Sequence, residues 1–260
     1  MLHSPVFRSY TYTIREPRLL YGVFHYRKSR RLATTATMPL QSHRSYFSSV
    51  PLSVLTDSYK ATHPLVYPDV TRMVAYGEFR KGFKLDSGQH DEDDNRVIVY
   101  GMRYIVENFL EQRWTMEDVQ LAAHFYSTHN AGGTDFPFPR ALFEKFVTEN
   151  DGYFPIRLEA VPEGTVVHAN VPVYQITAEG EYACLCTFLE TLLTMVWYPS
   201  SVATLSRRAK DIIEVAFDKS VDGGRSNPLI GSRLHDFGFR GCTCVEQVRF
   251  RARICVVEEH

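Results

Sequence analysis

The residues best suited to chemistry lie close together in the stretch "LHDFGFRGCTC", which runs from Leu234 to Cys244. It holds an imidazole, a carboxylate and a guanidinium in His235, Asp236 and Arg240. Each of these groups costs free energy to bury unless it finds a hydrogen-bond partner. Two glycines in the same stretch permit tight turns and let the backbone approach a ligand closely. The stretch therefore indicates either a binding site or an ordinary polar loop after a short strand that ends at Leu234.

The other metal-ligating side chains lack the spacing of a metal site. The five cysteines form two Cys-x-Cys pairs and a single Cys255, whereas a zinc site needs Cys-x-x-Cys spacing or histidines at regular offsets. The charged segment "KLDSGQHDEDDNR" lacks glycine and glutamate at the positions that a calcium loop requires, so we interpret it as an exposed loop. We predict no metal site, a reducing compartment, and small buried thiols at Cys184 and Cys186.

Charge is distributed unevenly along the 260 residues, although the whole chain is close to neutral. Residues 1–50 hold eight basic groups and one acid, a balance of +7, so the remaining 210 residues carry −8. This Arg-rich, acid-poor composition is typical of an organelle transit peptide; untranslated sequence with a later start at Met38 is the alternative. We expect residues 1–50 to be a disordered leader. We predict no nucleic-acid partner, because no matching basic surface follows.

Periodicity after residue 51 predicts helices on both sides of a block of antiparallel strands, which indicates an α+β or α/β chain. The longest apolar run is interrupted by Glu190 and ends at Pro199, so it is too short to cross a membrane and predicts a buried helix. Thr115 and Asp118 have the spacing of a capping box. The predicted elements are a strand within 69–82, helices near 101–112, 116–129 and 140–150, strands over 153–180, and helices near 182–201 and 202–220. In the first strand, Met73, Ala75 and Gly77 alternate with their neighbours.

Six segments, taken in order between residues 55 and 241, together resemble the nicotinamide phosphoribosyltransferase family. They are "LTDSYKATH", "YGEFRK", "VIVYGMRYIVENFL", "DGYFPIRLEAVPEGTVV", "ETLLTMVWYPSSVATLSR" and "LHDFGFRG". Members of this family join nicotinamide to phosphoribosyl pyrophosphate to form nicotinamide mononucleotide, so the resemblance implies a pentosyltransferase of NAD salvage. It also implies a mixed α+β domain at residues 51–180 that leads into an incomplete α/β barrel-like phosphoribosyltransferase domain at 181–244. The segments "TDSYK" and "HDFGFRG" favour the nicotinamide branch over the related nicotinate enzymes.

The resemblance also assigns roles to five substrate-binding residues. Phe237 is expected to stack on one face of the pyridine ring, while a tyrosine at the position of Tyr59 covers the other face from the partner subunit. Such stacking adds about 0.5–1.5 kcal/mol beyond area burial. Arg240 is expected to contact the phosphate groups with its planar, always-charged fork, and Arg80 to reach the site across the dimer interface. Asp57 is expected to orient its neighbours.

The remaining implications concern supporting residues, cofactors and assembly. His235 and Asp236 are expected to hold their loop in shape. The family uses Mg²⁺ with phosphoribosyl pyrophosphate, and ATP through a histidine that has no counterpart in this sequence. A homodimer with shared active sites is implied, in the cytoplasm unless residues 1–50 direct the protein to an organelle. Residues 245–260 do not match the family and its catalytic residues are missing. A truncated non-catalytic subunit and a nicotinate phosphoribosyltransferase therefore stay open as alternatives.

Overall fold

A computed structural model describes residues 10–13, 52–82, 94–235 and 237–242 of the chain, and these residues form a mixed helix and sheet structure. The mixed α and β class predicted from the sequence is confirmed, and the described residues contain no closed barrel. The strands are β1 (Tyr10–Thr13), β2 (Arg72–Glu78), β3 (Arg96–Ile98), β4 (Ile156–Ala160), β5 (Val166–His168) and β6 (Pro172–Glu179). The α-helices are α1 (His63–Val66), α2 (Met102–Ile105), α3 (Met116–His129), α4 (Arg140–Glu149), α5 (Glu190–Thr194) and α6 (Trp197–Ser220).

Several shorter helical segments connect these elements. A π-helical turn, Val106–Leu110, continues α2. Longer 3-10 segments cover Ser58–Thr62 and Gly180–Leu189, and the final described residues are mainly 3-10 turns. Those turns are Gly224–Ser226, Pro228–Ser232 and Gly238–Gly241.

The main sheet is antiparallel, with the order β1-β4-β6-β2. Alternate residues of β2 face the core, as the sequence predicts: Met73 and Ala75 pack against it while Val74 and Tyr76 are exposed. β6 lies between β2 and β4, and its Ile176 is the register partner of both Ala75 and Leu158. β1, from the basic segment at the start of the chain, pairs with β4, and β3 pairs with β5 in a separate two-stranded sheet.

An aromatic cluster (Trp114, Phe143, Phe146, Phe154 and Phe188) joins the helices to the segment after the sheet. All five side chains are buried, and both Phe143 and Phe146 are 0% exposed. The centre of the Trp114 ring lies 5.5 Å from that of Phe143 and 5.3 Å from that of Phe146, and the centres of the Phe143 and Phe188 rings are 5.0 Å apart. Large buried aromatics dominate the energetics of such a core, so this cluster fixes the Gly180–Leu189 segment against α4.

The predicted capping box begins α3. Asp118 donates its backbone N–H to Thr115 Oγ1 at 3.3 Å, and the Thr115 backbone N–H donates to Asp118 Oδ2 at 2.8 Å. Because two otherwise unpaired backbone donors are satisfied reciprocally, the helix starts at the residue that the pattern indicates.

The apolar run at 182–201 does not form the single helix that the sequence predicts. It forms the 3-10 segment, then α5, and then the first turn of α6, which begins at Trp197. Pro199 lies within that first turn rather than ending a helix, because backbone N–H groups of a first turn have no intrahelical acceptor and proline loses nothing there. The interruption between α5 and α6 therefore lies before Pro199.

The strand predicted to end at Leu234 is wrong. Leu234 is exposed and follows the 3-10 turn Pro228–Ser232. The side chain of Asn227 accepts a hydrogen bond from the Leu229 backbone N–H at 3.0 Å, and the Arg233 backbone N–H donates to Ile230 at 3.1 Å. These local bonds satisfy the backbone as a turn, so the segment does not need a partner strand.

Gly152 allows the loop after α4 to approach Trp114. Its carbonyl accepts the Trp114 backbone N–H at 2.7 Å, its φ is +78°, and a Cβ there would lie 2.2 Å from the Trp114 carbonyl oxygen. We expect Gly152→Ala to lower the free energy of unfolding by about 2–4 kcal/mol, since backbone strain and a clash add together. Gly164→Ala is the matched control, because Gly164 has φ +83° and open space around its Cβ position. Equal losses in urea denaturation of the two variants would contradict this account.

Asp94 gives the fold a predictable pH dependence. Arg96 donates to its carboxylate from Nε at 2.8 Å and from Nη2 at 3.0 Å, which lowers the pKa of Asp94 to about 2. Because this folded-state pKa is depressed, the contribution is present above the ordinary pKa of 3.8 and is lost as the pH falls towards 2. We expect Asp94→Asn to cost about 1 kcal/mol near pH 6 and less at pH 3. A cost that does not depend on pH in urea denaturation would contradict this assignment.

Candidate functional site

Tyr59 projects from the 3-10 turn Ser58–Thr62, and its side chain is 54% exposed while the next two residues, Lys60 and Ala61, are buried. The turn begins where the Lys60 backbone N–H donates to the Asp57 carbonyl at 2.9 Å. Within a turn of this pitch, successive side chains point in different directions, so burial of Lys60 and Ala61 directs Tyr59 outward. The result is a half-exposed aromatic ring on a well-anchored segment.

Asp57 is exposed at the start of this turn and is bound to α5. Its backbone N–H donates to Thr191 Oγ1 at 3.3 Å, and the Thr191 hydroxyl contacts Asp57 Oδ2 at 3.4 Å. Thr56 Oγ1 also donates to the Phe188 carbonyl at 2.7 Å. These bonds hold the start of the turn against the segment that carries the aromatic cluster.

Lys60 and Glu190 form an ion pair directly behind Tyr59. The Lys60 side chain is 5% exposed and that of Glu190 is 48% exposed, and the ammonium also lies 4.8 Å from the centre of the Tyr59 ring. Burial lowers the pKa of Lys60, but its hydrogen bonds to Glu190 and Tyr59 raise it more, so the pKa lies above its ordinary value. Our sequence reasoning missed this pair. The signal was Glu190, a single acid within an apolar run, because such a residue needs a partner.

His63 lies close to the Tyr59 ring. Its ring centre is 5.9 Å from that of Tyr59 and 5.4 Å from that of Tyr67, and its Nδ1 lies 2.5 Å from Thr187 Oγ1. Burial and the nearby Lys60 ammonium lower the pKa of His63. The imidazole is therefore neutral at neutral pH and adds no charge beside Tyr59.

The second group of candidate residues lies around the 3-10 turn Gly238–Gly241. Phe237 is 76% exposed, and its ring centre lies 6.3 Å from that of His235, which is also exposed. Arg240 is exposed on the turn, and Cys242 Sγ lies 3.2 Å from the Gly238 carbonyl oxygen. The predicted supporting residue Asp236 lies outside the described residues.

The structure thus brings the predicted site residues into separate groups. Asp57 and Tyr59 share one turn, and His235, Phe237 and Arg240 share another. Arg80 belongs to neither turn and is exposed two residues after the end of β2. Over the described ranges, no ring contact joins Tyr59 to Phe237. The expectation that the two rings face one ligand from different subunits stays a prediction.

Among the described parts of the chain, no three His, Cys, Asp or Glu side chains are grouped so that they could hold a metal ion. None of the described helices is long and apolar enough to span a bilayer. Cys184 and Cys186 are free and buried, as expected, and burial raises the pKa of the Cys186 thiol to about 11.

Comparison with known proteins links the first of these groups to one family. Residues 51–158 match the family model described as nicotinamide phosphoribosyltransferase, N-terminal domain. This range contains Asp57, Tyr59 and Arg80, whereas Phe237 and Arg240 lie outside it.

Two curated relatives extend the similarity. A nicotinamide phosphoribosyltransferase of Xanthomonas campestris pv. campestris is 32% identical over 187 residues, which cover 72% of this chain and 36% of the relative. One of Acinetobacter baylyi is 27% identical over 202 residues, which cover 74% of this chain and 38% of the relative. The chain therefore spans a little over a third of the length of these relatives.

Among solved structures, a crystal structure of human nicotinic acid phosphoribosyltransferase aligns with a TM-score of 0.40 and 24% identity, covering 62% of this chain and 29% of that one. At this level the structural similarity carries no argument about function.

Proposed function

Because this chain has a nicotinamide phosphoribosyltransferase-like N-terminal portion, we propose that it takes part in NAD salvage as a nicotinamide phosphoribosyltransferase. The reaction transfers phosphoribosyl from phosphoribosyl pyrophosphate to nicotinamide and yields nicotinamide mononucleotide and pyrophosphate. The observation that carries the proposal is the family match over residues 51–158, which contains the turn that presents Tyr59.

The exposed aromatic rings support a role in binding nicotinamide. A flat pyridine ring gains from offset stacking on an aromatic side chain, and Tyr59 and Phe237 are 54% and 76% exposed. We propose that the two rings cover opposite faces of nicotinamide in a site shared between the subunits of a homodimer. In each site, Phe237 would come from one protomer and a tyrosine equivalent to Tyr59 from its partner. Asp57 would keep the Tyr59 turn in place through Thr191.

Positively charged side chains support the departure of pyrophosphate in the proposed reaction. The pyridine nitrogen of nicotinamide bonds to the anomeric carbon of the ribose, and the bond from that carbon to pyrophosphate breaks with both electrons leaving on the pyrophosphate. The sugar passes through an oxocarbenium-like state, so groups that stabilise the departing anion lower the barrier. Arg240 and Arg80 are exposed guanidiniums that would bind these phosphates with paired N–H donors. His235 and Asp236 would support the loop that carries Arg240.

The cofactors belong to the proposal as well. Mg²⁺ with phosphoribosyl pyrophosphate would neutralise phosphate charge, and Mg²⁺ in such sites is held mainly by substrate phosphates and water. We assign no step to the ion. ATP is proposed as an energy-coupling ligand on the basis of the family, and a cytoplasmic location likewise.

Ligand selectivity tests the proposal. Because the family's catalytic residues are not matched in this sequence, the quantity measured is binding rather than turnover. The purified 260-residue chain is titrated with nicotinamide or with nicotinate in the presence of phosphoribosyl pyrophosphate and Mg²⁺, and the dissociation constants are compared. We expect nicotinamide to bind at least about tenfold more tightly than nicotinate, because a site that hydrogen-bonds one substrate group rejects an analogue without it. Tighter binding of nicotinate, or no binding of either ligand to a folded chain, would contradict the proposal.

A further inference from the structure

Lys60 is a buried cation whose position is fixed by a single carboxylate. It is 4% exposed, and its ammonium pairs with Glu190, which lies 130 positions further along the chain at the start of α5. An unpaired ammonium at this depth would be costly, so the pair holds the Lys60 side chain in one place. Glu190 is half exposed and can remain solvated when the pair is broken.

The same ammonium lies over the ring of Tyr59, at 4.8 Å from the ring centre. A cation at this distance is attracted to the π face of an aromatic ring. Tyr59 is 54% exposed, and its ring also has a tilted contact with the His63 ring at 5.9 Å between centres, so the ammonium and this imidazole restrain the ring.

The backbone beneath Tyr59 is held independently of Lys60. Asp57 is bound to Thr191, and the His63 ring is bound to Thr187, so both ends of the turn are attached to the segment 187–191. What these bonds leave free is rotation of the Tyr59 side chain itself. Lys60 is placed to limit that rotation.

We propose that Lys60, held by Glu190, is a positioning residue that fixes the orientation of the Tyr59 ring for stacking on nicotinamide. The proposal rests on the proposed function, in which Tyr59 contacts the pyridine ring. Lys60 touches neither substrate nor reacting atoms in this arrangement and acts only through Tyr59.

The positioning is tested without any ligand by ¹⁹F NMR of the full chain with 3-fluorotyrosine at position 59. We expect Lys60→Met to move the Tyr59 resonance towards its position in the unfolded chain, because the ring loses its restraint. Glu190→Gln should move it in the same direction, and Lys60→Arg should keep it close to the position in the unsubstituted chain, because the charge is retained. Lys219→Met, at an exposed lysine near the end of α6, is the control and should leave it unchanged.

An unchanged Tyr59 resonance in Lys60→Met would overturn the proposal, and so would an equal movement in Lys219→Met. Far-UV circular dichroism confirms that each variant is folded. If Lys60→Met does not fold, Glu190→Gln supplies the same test, since it keeps the lysine and removes only the charge that holds it.

A binding cycle links the positioning to nicotinamide. We expect Lys60→Met to raise the dissociation constant for nicotinamide about three- to tenfold in the chain with Tyr59, and less than about twofold in the Tyr59→Leu background. Equal losses in both backgrounds would mean that Lys60 does not act through Tyr59 and would overturn the proposal. If the Lys60 and Glu190 variants move the Tyr59 resonance as expected but the unsubstituted chain binds no nicotinamide, the proposed function fails. Lys60 then remains the residue that positions the Tyr59 ring.

Discussion

Phe143→Ala is expected to lower the free energy of unfolding by about 3–5 kcal/mol. Phe143 is 0% exposed at the centre of the aromatic cluster, with ring centres of Trp114 at 5.5 Å, Phe138 at 4.9 Å and Phe188 at 5.0 Å. Removing the ring loses the free energy gained by transferring it from water to the core, and it leaves a cavity. The surrounding aromatic rings are too large to move into that cavity and fill it. Urea denaturation followed by tryptophan fluorescence measures the change.

Phe125→Ala is the matched control for this prediction. Phe125 belongs to α3, and its side chain is 38% exposed, so we expect its loss to cost no more than about 1 kcal/mol. Because Phe188 is the next-to-last residue of the segment that α5 continues, loss of Phe143 should also disturb the contacts of Glu190 with Lys60. Similar losses of stability in the two variants would mean that the aromatic cluster is not the centre of the fold.

Tyr59→Leu is expected to raise the dissociation constant for nicotinamide by about 3- to 12-fold, and Phe237→Leu by a similar factor. Each substitution keeps an apolar side chain of moderate size and removes the ring, so it tests stacking rather than burial alone. Both side chains are largely exposed, so neither substitution should change the free energy of unfolding by more than about 0.5 kcal/mol. Equilibrium dialysis of the full chain against labelled nicotinamide provides the measurement.

Tyr76→Leu serves as the control for the loss of an exposed ring. Tyr76 is 62% exposed on β2 and belongs to neither group of candidate site residues. We expect its dissociation constant for nicotinamide to stay within about twofold of that of the unsubstituted chain. If Tyr59→Leu behaves like Tyr76→Leu, nicotinamide does not stack on Tyr59.

The parts of the fold that the sequence predicted depend on local chemistry. The alternation within 72–78 predicted the faces of β2, and the spacing of Thr115 and Asp118 predicted the start of α3, because side-chain periodicity and capping act within a few residues. The antiparallel strands over 153–180 followed from turn residues in the same way. Where an element failed, as at Leu234, short turn bonds replaced the strand that the pattern suggested.

The candidate site was predictable only in its individual residues. The resemblance to a known family indicated Asp57 and Tyr59, but not what holds them. Lys60 and Glu190 are 130 positions apart, and a pairing over that distance depends on how the 3-10 segment Gly180–Leu189 packs against the sheet. That packing also explains why the apolar run did not form one helix, since the core requires Phe188 and Leu189 to be buried where the chain turns into α5.

The most direct test of the account is equilibrium binding of nicotinamide to the full chain by isothermal titration calorimetry, with Tyr59→Leu and Tyr76→Leu measured beside it. The account predicts saturable binding that Tyr59→Leu weakens about 3- to 12-fold and that Tyr76→Leu leaves unchanged. Absence of binding to a demonstrably folded chain, or equal affinities for all three proteins, would contradict the assignment of this surface to nicotinamide.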